Sequence, residues 1–97
     1  MAILSFSTGD IILDSGIYYS PNFCVETKDS FLTIQVTLNS NSDIYVQSSV
    51  DGITFFDVPD SYFTCSPSGL QSYAECQPGL KYRLKCLVEI LNVKILI

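Results

Sequence analysis

Asp57 and Asp60, close together in Asp57-Val58-Pro59-Asp60-Ser61, are the carboxylate pair that comes nearest to acid-base work or to binding a divalent cation. The segment lacks the dense oxygen pattern of a calcium loop, so it reads as a solvated loop. Histidine is absent from the chain, which removes the commonest general base and the usual activator of serine and cysteine nucleophiles. Glycine-rich phosphate loops are absent as well. Cys24, Cys65, Cys76 and Cys86 show no CxxC spacing, and without histidine they leave only a scattered all-cysteine zinc set. The sequence therefore predicts a protein without catalytic, cofactor or metal residues, and not an enzyme.

Surfaces remain. Six tyrosines and six phenylalanines are enough to line a sugar platform, yet there is no tryptophan and most of these rings fall at core-facing or turn positions. Tyr18 and Tyr19 are different, because neighbours in a strand point to opposite faces and one of the pair must look away from the core. One of them is expected to be a contact residue. Charge is unevenly distributed along the chain: residues 1–80 hold nine acids and one base, residues 81–97 four bases (Lys81, Arg83, Lys85, Lys94) and one acid. An acidic body of net charge −5 disfavours nucleic acid, whose phosphates need a basic face. The four bases are expected to meet an acidic partner, with the acidic loops around Asp51, Asp57 and Asp60 turned to solvent; the alternative is a solvated strand face.

The elements that must carry these residues are strands. Phe31 to Leu38 alternates cleanly, with Leu32, Ile34, Val36 and Leu38 on one face. Asn39 to Ser42 makes a turn and Asp43 to Val50 the next strand. At Asp51-Gly52 a two-residue turn would mix polar and apolar partners. A three-residue loop ending in Gly52 as a left-handed bulge pairs Ser49 with Ile53 and Ser48 with Thr54, grouping Ile44, Val46, Phe56 and Val58, and is preferred. Ile11 to Leu13, Ile17 to Tyr19, Phe23 to Val25, Tyr62 to Cys65 and Leu70 to Cys76 are further candidates. Val93 to Ile97 is apolar on both faces, which requires a central strand or an interface. The turn before it is placed within Glu89 to Asn92.

Pro78-Gly79 feeds a strand in which Tyr82, Leu84, Cys86 and Val88 face one way and Lys81, Arg83 and Lys85 the other. This arrangement resembles the tyrosine corner of an immunoglobulin-like or fibronectin-like sandwich, whose hydroxyl ties back to the backbone just upstream. With seven to eight short strands, turns about every ten residues and no helical spacing, the expectation is an all-β two-sheet sandwich occupying residues 1–97 as one domain. Such a chain can bury a core unaided, and its apolar runs are too short to span a bilayer. The first residues lack the basic and apolar regions of a secretion signal, so synthesis in a cytoplasm is expected. Cys24 and Cys86 are spaced like an inter-sheet immunoglobulin bridge, but Tyr82 precedes Cys86 by four residues rather than two, and reduced, buried cysteines are expected instead.

The segment Val46-Gln47-Ser48-Ser49-Val50-Asp51-Gly52-Ile53-Thr54-Phe55 with Val58, together with Pro78-Gly79-Leu80-Lys81-Tyr82-Arg83, is similar to the hairpin and corner of small β-sandwich proteins in virions of tailed bacteriophages. It covers about half the chain, and Phe55 stands where many such proteins have tryptophan. The same hairpin occurs in bacterial adhesins and in modules attached to glycosidases. The resemblance implies an auxiliary or decoration protein bound to the major capsid protein, or a tail component. A homo-oligomer is compatible with it. The alternative is a carbohydrate- or cell-surface-binding module.

Overall fold

Alternation of apolar and polar residues builds the sandwich strand by strand. Leu32, Ile34, Val36 and Leu38 have at most 1% of their surface exposed, while Gln35 between them faces water. The computed structural model describes residues 3–25, 31–73 and 76–97. Ten strands form among them: β1 (Ile3–Ser7), β2 (Ile12–Asp14), β3 (Ile17–Tyr19), β4 (Leu32–Leu38), β5 (Ser42–Ser49), β6 (Phe56–Asp57), β7 (Phe63–Cys65), β8 (Ser68–Tyr73), β9 (Lys81–Cys86) and β10 (Ile90–Leu96). One sheet has the order β1-β10-β4-β8; the other runs β2-β3-β9-β5, with β6 and β7 sharing the far edge of β5.

Setting aside β2, an edge strand paired with β3, and counting β6–β7 as one interrupted strand leaves eight positions. Their order is 1-8-3-6 in one sheet and 2-7-4-5 in the other, which is a double-sheet jelly roll. The all-β two-sheet sandwich expected from the sequence is thus present, but its last strand is placed differently from the immunoglobulin order, where it would join the corner strand. Here β10 crosses to the opposite sheet and lies between β1 and β4. A register shift between Ile90 and Asn92 lets Ile90, Val93 and Ile95 all point inward at 0% exposure, so the strand is central. The turn before it is earlier than expected, at Leu87–Glu89, because Ile90 already pairs with Leu38.

The tyrosine corner is formed. Tyr82 Oη accepts a hydrogen bond of 3.0 Å from the Gln77 backbone N–H, and its ring stacks on Phe23 with centroids 6.1 Å apart. Phe23 and Tyr82 also exchange backbone hydrogen bonds of 2.9 and 2.7 Å. After Pro78, Gly79 takes φ +87°, a left-handed conformation that an L side chain rarely adopts. Burial raises the pKa of the Tyr82 hydroxyl. Tyr73 ties the two layers together by donating its O–H to the Ser61 carbonyl, and burial pushes its pKa up to about 12.

Two expectations are corrected here. The loop after β5 is not a three-residue bulge: Ser48 pairs with Phe56 and Gln47 with Asp57, leaving seven residues, Ser49 to Phe55, outside the ladder. The cause is local hydrogen bonding that competes with strand pairing. Asp51 Oδ1 accepts from Ile53 N, Thr54 N and Ser49 Oγ at 2.9, 3.0 and 2.8 Å, and Ser49 Oγ accepts from Gly52 N at 2.9 Å. Gly52 does take the expected positive φ, +77°. Second, Cys65, Cys76 and Cys86 are free and buried as expected, but Cys24 is free and exposed. Phe23 and Val25 occupy the inward positions at 4% and 1% exposure, and alternation turns Cys24 out.

Replacing Tyr82 with Phe keeps the ring and removes the Gln77 anchor. The variant should lose about 1 kcal/mol, seen as a lower urea midpoint with an unchanged slope; an unaltered midpoint would show that the corner hydrogen bond adds no stability.

Candidate functional site

Because β9 pairs with β5 in register, the outward residues of the two strands stand side by side: Lys81 with Ser49, Arg83 with Gln47, Lys85 with Tyr45. The Arg83 guanidinium lies between the rings of Tyr19 and Phe55, 4.0 Å from each centroid. Its Nε donates to Gln47 Oε1 at 2.7 Å. Gln47 Nε2 in turn donates to Asp57 Oδ1 at 2.8 Å, and Asp57 accepts from Lys85 Nζ at 2.9 and 3.1 Å. Lys85 Nζ sits 5.2 Å from the centroid of Tyr45, whose ring is 6.0 Å from that of Tyr62. One connected row of rings and polar groups thus crosses the six-stranded sheet.

Gln47, 7% exposed, is the hinge of this row, since both ends of its amide are engaged. The hydrogen bond from Lys85 and then that from Gln47 hold the Asp57 carboxyl below its usual pKa. Lys85–Asp57 is the sole salt bridge among the described residues, and its side chains are 21% and 53% exposed, so its net worth is about 0.5 kcal/mol.

The sequence-predicted contact residues do not form one surface. Tyr19 faces outward against Arg83, while Tyr18 lies opposite the inward-facing Cys86 and packs against the core. Lys81, Arg83 and Lys85 share the outer face of the six-stranded sheet. Lys94 is on the other side of the sandwich, beside Thr33, Gln35 and Leu70 on the four-stranded sheet, because β10 changed sheets. Nor are the acidic loops held apart from the bases: β6 pairs with β5 and delivers Asp57 to Lys85. Gln47, Tyr45, Phe55 and Tyr62 escaped sequence reasoning. The outward parity of Tyr45 and Gln47 on β5 was available as a signal, but Phe55 and Tyr62 depend on the loop geometry.

A second feature lies at the end of the sandwich where β5 hands over to β6. The hydrogen bonds around Asp51 make a closed frame, and on it Val50 and Ile53 are each held 83% exposed, Val50 lining a cleft with Leu80 and with Phe56, itself 69% exposed. The bonds from Ile53 N, Thr54 N and Ser49 Oγ lower the Asp51 pKa to about 2. Among the described residues no group of three or more histidine, cysteine, aspartate or glutamate side chains converges on a point that would hold a metal ion. No helix there is long and apolar enough to cross a membrane. No protein-family model matches the chain, and no curated protein or solved structure matches it.

Both perturbed carboxyls have folded-state pKa values below their unfolded ones. Their contribution to stability is therefore present above the ordinary carboxyl value of 3.8 and is lost as pH falls through the lowered folded value. Asp57→Asn should cost about 0.5 kcal/mol at neutral pH and nothing once Asp57 is protonated in the wild type; a pH-independent difference in urea midpoint would contradict the ion-pair account. A carbon-detected NMR titration should place the Asp51 midpoint at about 2, and Ser49→Ala should move it upward.

Proposed function

We propose that the chain is a non-enzymatic structural protein of a virion, an auxiliary or decoration protein that seats on assembled capsid or other virion proteins. The similarity of residues 44–88 to phage sandwich proteins supports this reading, as does the recurrence of jelly rolls in viral capsid domains, which is an analogy of fold. The observation that carries the proposal is the framed loop. Val50 and Ile53 are β-branched, and Asp51 and Ser49 fix the backbone between them. Little conformational freedom is left to lose when such side chains enter an apolar pocket of a partner. They have the character of interface anchors: both are apolar and exposed on a hydrogen-bonded frame, and Val50 shares a cleft with Phe56 and Leu80.

This reading moves the docking surface away from the basic strand. Lys85 is neutralised by Asp57, Arg83 is held between two rings, and Lys94 faces the opposite way, so four cations do not act together. An interface of standard size needs about 800 Å² on each partner, and the loop end supplies its centre. Binding to neighbouring subunits only in their assembled arrangement would stabilise the shell by mass action. Localisation to the virion follows from the same reading.

Sedimentation with capsids of the virus that encodes the chain provides the test. Wild-type protein should pellet with intact shells, and Val50→Ser with Ile53→Ser should weaken binding about a hundredfold, from two anchors of over 1 kcal/mol each, at unchanged thermal stability. Undiminished binding of the double variant would remove the loop from the interface. Failure of the wild type to bind would remove the virion reading.

A further inference from the structure

Arg83 has more donors than the molecule uses. Its Nε is committed to Gln47, but the four N–H groups of its two Nη atoms have no acceptor among the described residues. No buried side-chain nitrogen or oxygen there lacks a partner, so these Nη atoms reach solvent. The guanidinium carbon lies 4.0 Å from the ring centroids of both Tyr19 and Phe55, and its Nε is held by Gln47. What remains is a planar fork, fixed in place and open at its edge, on a protein of net charge −5. That geometry matches the two oxygens of a carboxylate.

The surroundings of the fork narrow the ligand. Tyr45 lies two residues from Gln47 on the same face of β5, about 7 Å along the strand. Its ring and that of Tyr62, which is 57% exposed, form an aromatic surface beside Lys85 and Asp57. A pyranose ring has apolar C–H faces that stack on aromatic rings, and a rim of hydroxyls that needs both donors and acceptors. The row supplies both, since Asp57 accepts and Lys85 donates. An acidic peptide would use the fork but has no need of the exposed tyrosine pair.

We propose that the outer face of the six-stranded sheet binds oligosaccharides bearing a carboxylate, a uronic or sialic acid unit, with Arg83 reading the carboxylate and Tyr45 and Tyr62 stacking on an adjoining sugar ring. This site is separate from the Val50 and Ile53 loop, and its ligand is independent of whether that loop docks on a capsid.

Trigalacturonic acid and sialyllactose, with neutral galactotriose and triglutamate as comparators, can be titrated into 15N-labelled protein while the Arg83 Nε–H signal is followed. At least one acidic sugar should shift that signal and saturate, and whichever binds more tightly identifies the source of the carboxylate. Arg83→Lys should weaken binding about tenfold through loss of the fork. Tyr62→Ala, at an exposed position, should weaken it about fivefold through loss of stacking without changing the urea midpoint. The proposal is overturned if galactotriose binds as tightly as the acidic sugars, or if neither acidic sugar moves the signal. It is also overturned if triglutamate binds as well as they do and is indifferent to Tyr62→Ala, which would make the face a reader of acidic protein.

Discussion

Burial of Tyr82, Leu84 and Cys86, with the Tyr82 hydroxyl tied to the amide of Gln77, sets which side of β9 looks inward, and the neighbouring strands depend on that choice. Side chains alternate along a strand, so a slip of one residue would expose Tyr82, Leu84 and Cys86 and bury Lys81, Arg83 and Lys85. Strand β9 lies between β3 and β5, and its parity is therefore imposed on both neighbours. Tyr18 follows Cys86 inward, Tyr19 follows Lys85 outward, and Gln47 comes level with Arg83. The contacts of Arg83 with Tyr19 and Phe55 and the Gln47–Asp57–Lys85 row follow from the parity of β9.

Much of this architecture can be read in the sequence because it is written in short-range terms. The alternation in Leu32 to Leu38, the Pro78-Gly79 entry to β9 and the opposed orientations of Tyr18 and Tyr19 each involve neighbours within a few residues. What could not be read is the choice of partner. The strand at Val93 to Ile97 is too apolar for an open edge, yet nothing in its residues says that it pairs with β1 and β4 in preference to β9. Strand β1 itself, Ile3-Leu4-Ser5-Phe6-Ser7, has adjacent apolar residues rather than clean alternation, and none of them is fully buried. The Asp51 loop departs from the expected bulge for a different reason: turn rules weigh backbone conformation, whereas here one carboxylate with three donors organises the whole connection.

The same distinction governs charge. Along the chain acids and bases are well separated, and a linear reading makes the C-terminal cations a single basic surface. In space Lys85 meets Asp57 across β5, Lys94 is carried to the far sheet, and Arg83 is enclosed by rings. Strand pairing sets the electrostatic surface, and only Lys81 and the Nη edge of Arg83 stay available on the β9 face. Segregation in sequence is thus a poor guide wherever most connections cross between two layers.

The placement of β10 also bears on how the molecule is made. It is the last of the ten strands in chain order, yet it is the one that joins β1 to β4. Until it has been synthesised, β1 has no hydrogen-bonding neighbour and the inner faces of β4 and β8 have an incomplete sheet around them. Contacts between residues as far apart in sequence as Ile3 and Leu96 are slow to form, because the entropy of the intervening loop is lost before the contacts are gained. During that interval Leu32, Ile34, Val36 and Leu38 are open to other chains, and escape from aggregation depends on how quickly the final strand inserts.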